Sequence, residues 1–248
     1  MPPLSPIQWA LAILAAFGMG VAKGGLAGVG LFHVVVFAFL FGAKESTGIV
    51  LPMLLVGDIC AVTWFRQHAR WDYIRKMLPA ACVGIVLGSI WMHRISDAFF
   101  KPLIGWVILT LAILQLARTR RPDWFGGVPH NAWFAWAMGL ATGVASMLAN
   151  AAGPIVALYA LAVSLPKFEM VGTSAWLFLI VNALKIPFSI SLGLIHQHTL
   201  MLNLTLAPVV AIGVLSGRWL VTHLPQRLFD GLLLAFAAIA ALRLIGVL

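Results

Sequence analysis

Apolar residues run through this chain in long blocks, and polar residues fall in short clusters between them. Two stretches, 124–166 and 186–217, contain no Asp, Glu, Lys or Arg. Transmembrane β-strands alternate apolar and polar residues over about 10 positions, so the pattern does not fit a barrel. Helices are the other structure that satisfies backbone polar groups in lipid. The pattern therefore predicts an all-α polytopic membrane protein.

Ten hydrophobic segments follow one another along the chain. They are residues 7–22, 26–42, 47–65, 77–93, 102–117, 131–147, 151–165, 171–192, 199–217 and 230–247. A spanning helix needs about 20 residues, and the first, second, sixth and seventh segments are short for that. Each short pair is joined by glycine or other small residues, so we expect either short tilted spans or re-entrant pairs.

The composition agrees with a membrane protein. Of the 248 residues, 62% are hydrophobic and 9% are charged, whereas soluble domains run at roughly 45–50% and about 25%. A soluble fold could not cover its core with so few charges, which excludes a soluble enzyme, a nucleic-acid-binding module and a disordered chain. The net charge of +9 comes from basic clusters between the apolar runs.

These Lys and Arg residues predict the orientation, because they concentrate in cytoplasmic loops. With the N-terminus outside, the inward loops hold Arg66, Arg70, Arg75, Lys76, Arg118, Arg120, Arg121, Lys167, Arg218 and Arg227. The outward side then holds only Lys44, Arg94, Lys101 and Arg243. We expect a multi-pass protein of the inner membrane with both termini on the periplasmic side.

The two halves of the chain resemble each other at an offset of 123–129 residues. The matches are Gly20 with Gly143, Gly30 with Gly153, Ser46-Thr47-Gly48 with Gly172-Thr173-Ser174, Pro79 with Pro208, Gly84 with Gly213, Gly88 with Gly217 and Phe100 with Phe229. Each half has an odd number of crossings, which predicts two inverted repeats, 1–122 and 123–248, in one membrane domain. The alternative is that glycine and proline recur because helix packing favours small residues.

The glycine-rich breaks carry a resemblance to a known family. Lys23 to Gly30 follow the first segment, and Ser146 to Pro154 stand at the matching place in the second half. Together with the length and the duplicated layout, they make nearly the whole chain resemble the TauE/SafE sulfite-exporter family of membrane permeases. The glycine cluster of that family is weakened in the second half. The resemblance implies export of sulfite or small organosulfur anions.

The first break combines a charge with exposed backbone. Ionisable side chains inside a membrane are costly and usually functional, and Lys23 is one of them. Glycine lets backbone N–H groups approach a ligand, and a helix that begins after the break points its positive end there. This predicts an anion site at Lys23, Gly24, Gly25 and Gly28. The alternative is that Lys23 snorkels to the cytoplasmic surface.

Further candidates lie in the second half and on the two helices that follow the breaks. Ser146, Asn150 and Gly153 offer neutral hydrogen-bonding groups, which suit anion oxygens or, alternatively, neighbouring helices. The other predicted substrate-binding residues are Thr47, Thr173, Ser174, Asn182 and Lys185.

Asp58 and His33 are the candidates for proton coupling. Asp58 and Lys185 match at an offset of 127, and either pair across the repeat interface or serve a proton and the substrate separately. A plain salt bridge is the other possibility. Histidine titrates near neutral pH, which suits a relay, although His33 could simply hydrogen-bond a neighbouring helix. His196 and His198 lack further ligands nearby, so no metal site is predicted.

No catalytic or ATP-binding motif occurs in the sequence. We therefore expect a secondary transporter, not an enzyme, without a cofactor, that exports a small sulfur-containing oxyanion such as sulfite or an organosulfonate. Its partners are the anionic substrate and the lipid bilayer, with no nucleic acid, and a homo-oligomer is left open. The alternatives are uptake of a similar anion and a membrane-embedded enzyme acting on lipid-linked substrates.

Overall fold

The computed structural model describes residues 4–26, 29–96 and 131–223, with scattered positions between 99 and 121. All regular structure in these parts of the chain is helical. The helices of the continuous ranges are α1 (Pro6–Lys23), α2 (Gly30–Phe41), α3 (Ala43–Phe65), α4 (Trp71–Arg94), α5 (Ala132–Ala149), α6 (Gly153–Ala162), α7 (Lys167–Ser191) and α8 (Gln197–His223). A 3-10 turn at Arg66–His68 connects α3 to α4.

Six of these helices, α1, α3, α4, α5, α7 and α8, are long and apolar enough to cross a membrane. The other two, α2 and α6, have 12 and 10 residues. At 1.5 Å per residue they are about 18 and 15 Å long, about half of a 30 Å hydrocarbon core. The protein is thus an all-α polytopic membrane protein, and two of the helices in its described ranges are half-length. The tenth predicted segment lies outside the described residues.

The half-length helices follow the two predicted breaks. After α1, the chain turns through Gly24 and Gly25, and Gly25 has a φ of 120°. After α5, Asn150 has a φ of 52° and a left-handed conformation. Glycine and asparagine adopt positive φ more readily than other residues. The sequence therefore ends both α1 and α5 abruptly and leaves room for a short helix to begin inside the bundle.

The first helix of each half packs against the fourth helix of the other half, α1 on α8 and α5 on α4. At the closest points, Gly20 lies against Gly213 and Gly143 lies against Gly84. A Cβ atom at Gly20 or Gly143 would overlap the backbone of the facing helix. Both contacts use residues that the sequence matches between the halves, so equivalent glycines make equivalent contacts.

The helix ends group on two faces of the bundle. On one face, the Arg70 guanidinium, just before α4, pairs with Glu169 in the first turn of α7 at 3.0 Å. On the other face, Lys44 at the start of α3 donates a hydrogen bond of 3.5 Å to the carbonyl of Ile95 after α4. The loops before α4 and before α7 therefore share one face.

Candidate functional site

A cavity of about 80 Å³ lies between the two helix breaks. Both breaks contribute to its wall, through Lys23, Gly25, Gly30, Ser146, Asn150, Ala152 and Gly153. His33 from α2 and Ser174, Phe178 and Asn182 from α7 complete its polar and aromatic side. A water molecule needs roughly 10–15 Å³ in this measure. The cavity therefore has room for several waters or for an anion of a few heavy atoms.

The remaining wall is apolar. It is formed by Met19, Ala22, Leu54, Ala157, Met170, Val171 and Ala175. Polar groups thus converge on one part of a mostly apolar cavity, which is the usual composition of a small-molecule site.

Lys23 points into the bundle. Its Nζ lies 2.5 Å from Oδ1 of Asp58, whose side chain is fully buried, and 4.4 Å from the centroid of the Phe178 ring. The side chain of Lys23 is 12% exposed. A snorkelling lysine would extend its ammonium to the membrane surface, whereas this ammonium reaches a buried carboxylate and the face of an aromatic ring.

Lys185 is buried on α7, with its ammonium among three side-chain oxygens. It donates hydrogen bonds to Ser146 Oγ at 3.1 Å, to Asn182 Oδ1 at 3.3 Å and to Asn150 Oδ1. An ammonium has three N–H donors, so these acceptors match its capacity. Within the described residues Lys185 makes no ion pair with Asp58. The direct pair that the sequence suggested as one option is replaced by an indirect connection.

Asn182 makes that connection. Its Nδ2 donates a hydrogen bond of 2.7 Å to Oδ2 of Asp58, and its Oδ1 accepts from Lys185. Asn150 extends the network, because its Nδ2 donates to the carbonyl of Thr47 at 2.9 Å. The network therefore links both breaks to α3 and α7. With two lysines and one aspartate, its formal net charge is +1.

Two helix starts add to this positive potential. Helix α2 begins at Gly30 and α6 begins at Gly153, and both glycines are on the cavity wall. The first N–H groups of a helix lack partners within it, and the N-terminal end carries a partial positive charge. Pro154 follows Gly153, and proline at the first turn of a helix costs no hydrogen bond. Both short helices thus present the end that favours an anion.

Some predicted site residues lie away from the cavity wall. Gly24 lies against Gly217 of α8 and serves close helix packing. Thr173 accepts a hydrogen bond of 2.9 Å from the backbone N–H of Arg70. The hydroxyl of Thr47 donates to the carbonyl of Lys44 at 2.7 Å, so this residue reaches the network through its own carbonyl alone. Gly28 lies outside the described residues.

Phe178 and Gly30 line the cavity but are not among the residues that the sequence predicts for the site. Phe178 stands midway between Ser174 and Asn182 at a spacing of four residues, so the helical period of α7 places all three on one face. This helical period was the feature of the sequence from which Phe178 could have been predicted. In the described ranges, no three His, Cys, Asp or Glu side chains come together as a metal site would require.

Comparison with known proteins gives one match. No curated protein and no solved structure matches the chain significantly. The family model described as "Sulfite exporter TauE/SafE" matches residues 12–244, which include both breaks, the network of Lys23, Asp58, Asn182 and Lys185, and nearly all of the remaining chain. The protein is therefore a member of the sulfite exporter TauE/SafE family of membrane transport proteins.

Proposed function

We propose that the protein is a secondary transporter that exports a small sulfur-containing oxyanion, such as sulfite or an organosulfonate, across the inner membrane. The observation that carries this proposal is the cavity between the breaks, where Lys23 and the starts of α2 and α6 converge. Oxyanions bind where helix N-termini and basic groups meet. Membership of the family supports the substrate class and the direction.

In this proposal the two halves are inverted repeats, 1–122 and 123–248, and the cavity lies at their interface. Transporters with this architecture bind substrate near the midplane, at interrupted helices. The glycine contacts support the inverted repeat. Gly20 lies against Gly213, and the matching glycines of the other half, Gly143 and Gly84, lie against each other in the same way. Rocking of one half against the other would then expose the cavity to each side in turn.

Each remaining predicted residue has a role in the proposed site. Lys23 attracts the anion, while Lys185 holds Ser146, Asn150 and Asn182 in place. Ser146, Ser174, Gly25 and Gly153 line the cavity, and their hydroxyl or backbone N–H groups would contact anion oxygens. Asp58 and His33 are the proposed candidates for carrying a coupled proton.

The orientation completes the proposal. Both termini are placed on the periplasmic side, because this puts the loops before α4 and α7, which share a face, in the cytoplasm with most of the basic residues. An exporter of this orientation takes its anion from the cytoplasmic face and releases it to the periplasm.

A flux assay in proteoliposomes tests the proposal. Purified protein is reconstituted, and uptake and release of sulfite, thiosulfate, sulfoacetate and sulfate are measured with an imposed membrane potential or pH gradient. We expect flux of sulfite or sulfoacetate, and its loss in Lys23→Met. Lys76→Met is the matched control, because Lys76 is an exposed lysine of α4. Absence of flux for all four anions with folded parent protein would contradict the proposal.

A further inference from the structure

His33 is a buried polar side chain without a protein partner. It lies one turn into α2, is 3% exposed, and neither Nδ1 nor Nε2 has a hydrogen-bond partner in the described structure. Buried polar groups are nearly always hydrogen-bonded, because leaving one unsatisfied destabilises the fold. An exception of this kind at a cavity wall indicates a group whose partner is a ligand.

The imidazole borders the same cavity as Lys23, Ser146 and Asn150. The neighbouring amides already have partners, because Asn150 and Asn182 each use their oxygen and one N–H within the network. Lys185 has an acceptor for each N–H. His33 differs from these three side chains, because neither of its ring nitrogens has a hydrogen-bond partner in the described structure.

The charges around His33 also favour this use. The charged groups of the adjoining network are Lys23, Lys185 and Asp58, and their formal sum is +1. An anion in the cavity is attracted by that charge, while Asp58 and the oxygens around Lys185 hold the two ammonium groups in place. The directional hydrogen bond to an anion oxygen is then left to a side chain that has no partner within the described part of the protein.

We propose that His33 is a direct substrate ligand, whose imidazole N–H donates a hydrogen bond to an oxygen of the transported anion. This inference rests on the proposed function and assigns a binding role to a buried, unpaired side chain of the site. The ligand class is a small oxyanion of sulfur, with oxygen atoms as the acceptors. Lys23 and Lys185 supply the attraction, and His33 fixes the position of one oxygen.

The test uses three variants of the full-length protein in detergent. His33→Leu removes the imidazole, His33→Gln keeps a side-chain N–H donor, and His93→Leu is the control, because His93 is exposed at the end of α4. For each, the melting temperature is measured without ligand and with increasing sulfite or sulfoacetate, and Kd is obtained from the shift.

We expect His33→Leu to melt at the same or a higher temperature than the parent without ligand, since it removes an unsatisfied buried group. Its sulfite Kd should rise at least tenfold. His33→Gln should retain part of the affinity, and His93→Leu should match the parent in both measurements. This pattern distinguishes a substrate ligand from a structural histidine, because replacement of a structural histidine would lower the melting temperature.

Two results would overturn the role of His33. One is parental sulfite affinity in folded His33→Leu. The other is marked destabilisation or failure to fold of His33→Leu, because it would mean that the imidazole has a structural partner. Neither result contradicts the proposed function, provided that the parent protein binds and transports the anion. A parent that binds neither sulfite nor sulfoacetate, and transports none of the four anions of the flux assay, removes the proposed function itself and this inference with it.

Discussion

The side chain of Asn182 donates a hydrogen bond of 2.7 Å to the carboxylate of Asp58, 124 residues away in the chain. The two residues stand on α7 and α3, which are the third helices of the two halves. Through its other amide atom, Asn182 accepts from Lys185 at 3.3 Å. One neutral amide thus links the acidic and basic residues that the sequence places at matching positions, and both charges are satisfied without direct contact.

The contacts of these charges fall at positions that the sequence matches between the two halves. Lys23 meets Asp58 at 2.5 Å, and Ser146 meets Lys185 at 3.1 Å. Ser146 matches Lys23 at an offset of 123, and Lys185 matches Asp58 at 127. The same position therefore holds an ion pair in one half and an ammonium–hydroxyl contact in the other. The surplus positive charge of the network arises from this difference.

The first prediction concerns the Lys23–Asp58 ion pair. Replacing one member leaves the other as an uncompensated buried charge, so Lys23→Met and Asp58→Leu should each destabilise the protein by about 3–5 kcal/mol. The double variant should be less destabilised than the sum of the two. Thermal unfolding in detergent measures this, with Arg75→Met as a control for loss of an exposed cation. Strictly additive losses would show that the two side chains do not interact.

The second prediction separates the backbone and side-chain roles of Asn150. Asn150→Gly keeps the left-handed backbone but removes the contacts with Lys185 and Thr47, so we expect a loss of about 1–3 kcal/mol. Asn150→Ala should lose roughly 1–2 kcal/mol more, because alanine resists a φ of 52°. Unfolding of both variants in detergent gives the difference.

Ser164 supplies the control for Asn150. It is exposed and has a φ of 54°, so Ser164→Gly relieves the same backbone conformation outside the network and should not destabilise the protein. Equal stability of Asn150→Gly and Asn150→Ala would show that the left-handed turn is not maintained in solution.

The sequence was sufficient for the helices, the breaks and the identity of the buried charges, because each of these follows from local pattern. Lys23, Asp58 and Lys185 are conspicuous as charges within apolar runs. Their partners were not predictable, since which side chain an ammonium reaches depends on how α1, α3 and α7 pack. Asn182 shares a helical face with Lys185, but only the packing of α7 on α3 brings it to Asp58.

The residues of the cavity wall were also only partly predictable from the sequence. Thr173 was predicted from the match between the halves, yet it receives the backbone N–H of Arg70, which lies 103 residues away in the chain. Conversely, Phe178 lies on the wall with the ammonium of Lys23 over its ring. An aromatic residue in an apolar run gives no local signal that a cation from another helix will contact it.

The third prediction is the sidedness of the loops. In a background with Cys60 and Cys82 replaced by alanine, Arg75→Cys should be protected from an impermeant thiol reagent in intact cells and labelled after lysis. Gln197→Cys should be labelled in intact cells. Both positions are exposed, so access depends on the membrane and not on burial. Labelling of position 75 but not of 197 in intact cells would reverse the orientation.

The fourth prediction tests whether equivalent glycines have equivalent roles. Gly20→Ala and Gly143→Ala each place a Cβ against the backbone of the facing helix, on α8 and on α4 respectively. Because the backbone cannot rotate away as a side chain does, the helices must separate, and we expect each variant to lose about 1–3 kcal/mol.

Gly30→Ala is the matched control, since a Cβ there would meet its nearest neighbour, the Cβ of Ala22, at 3.8 Å. In thermal unfolding, Gly20→Ala and Gly143→Ala should therefore have similar melting temperatures, both well below that of Gly30→Ala. If one of the two contact glycines tolerates alanine and the other does not, the two helix pairs are not equivalent, and their match would reflect only the general use of small residues in helix packing.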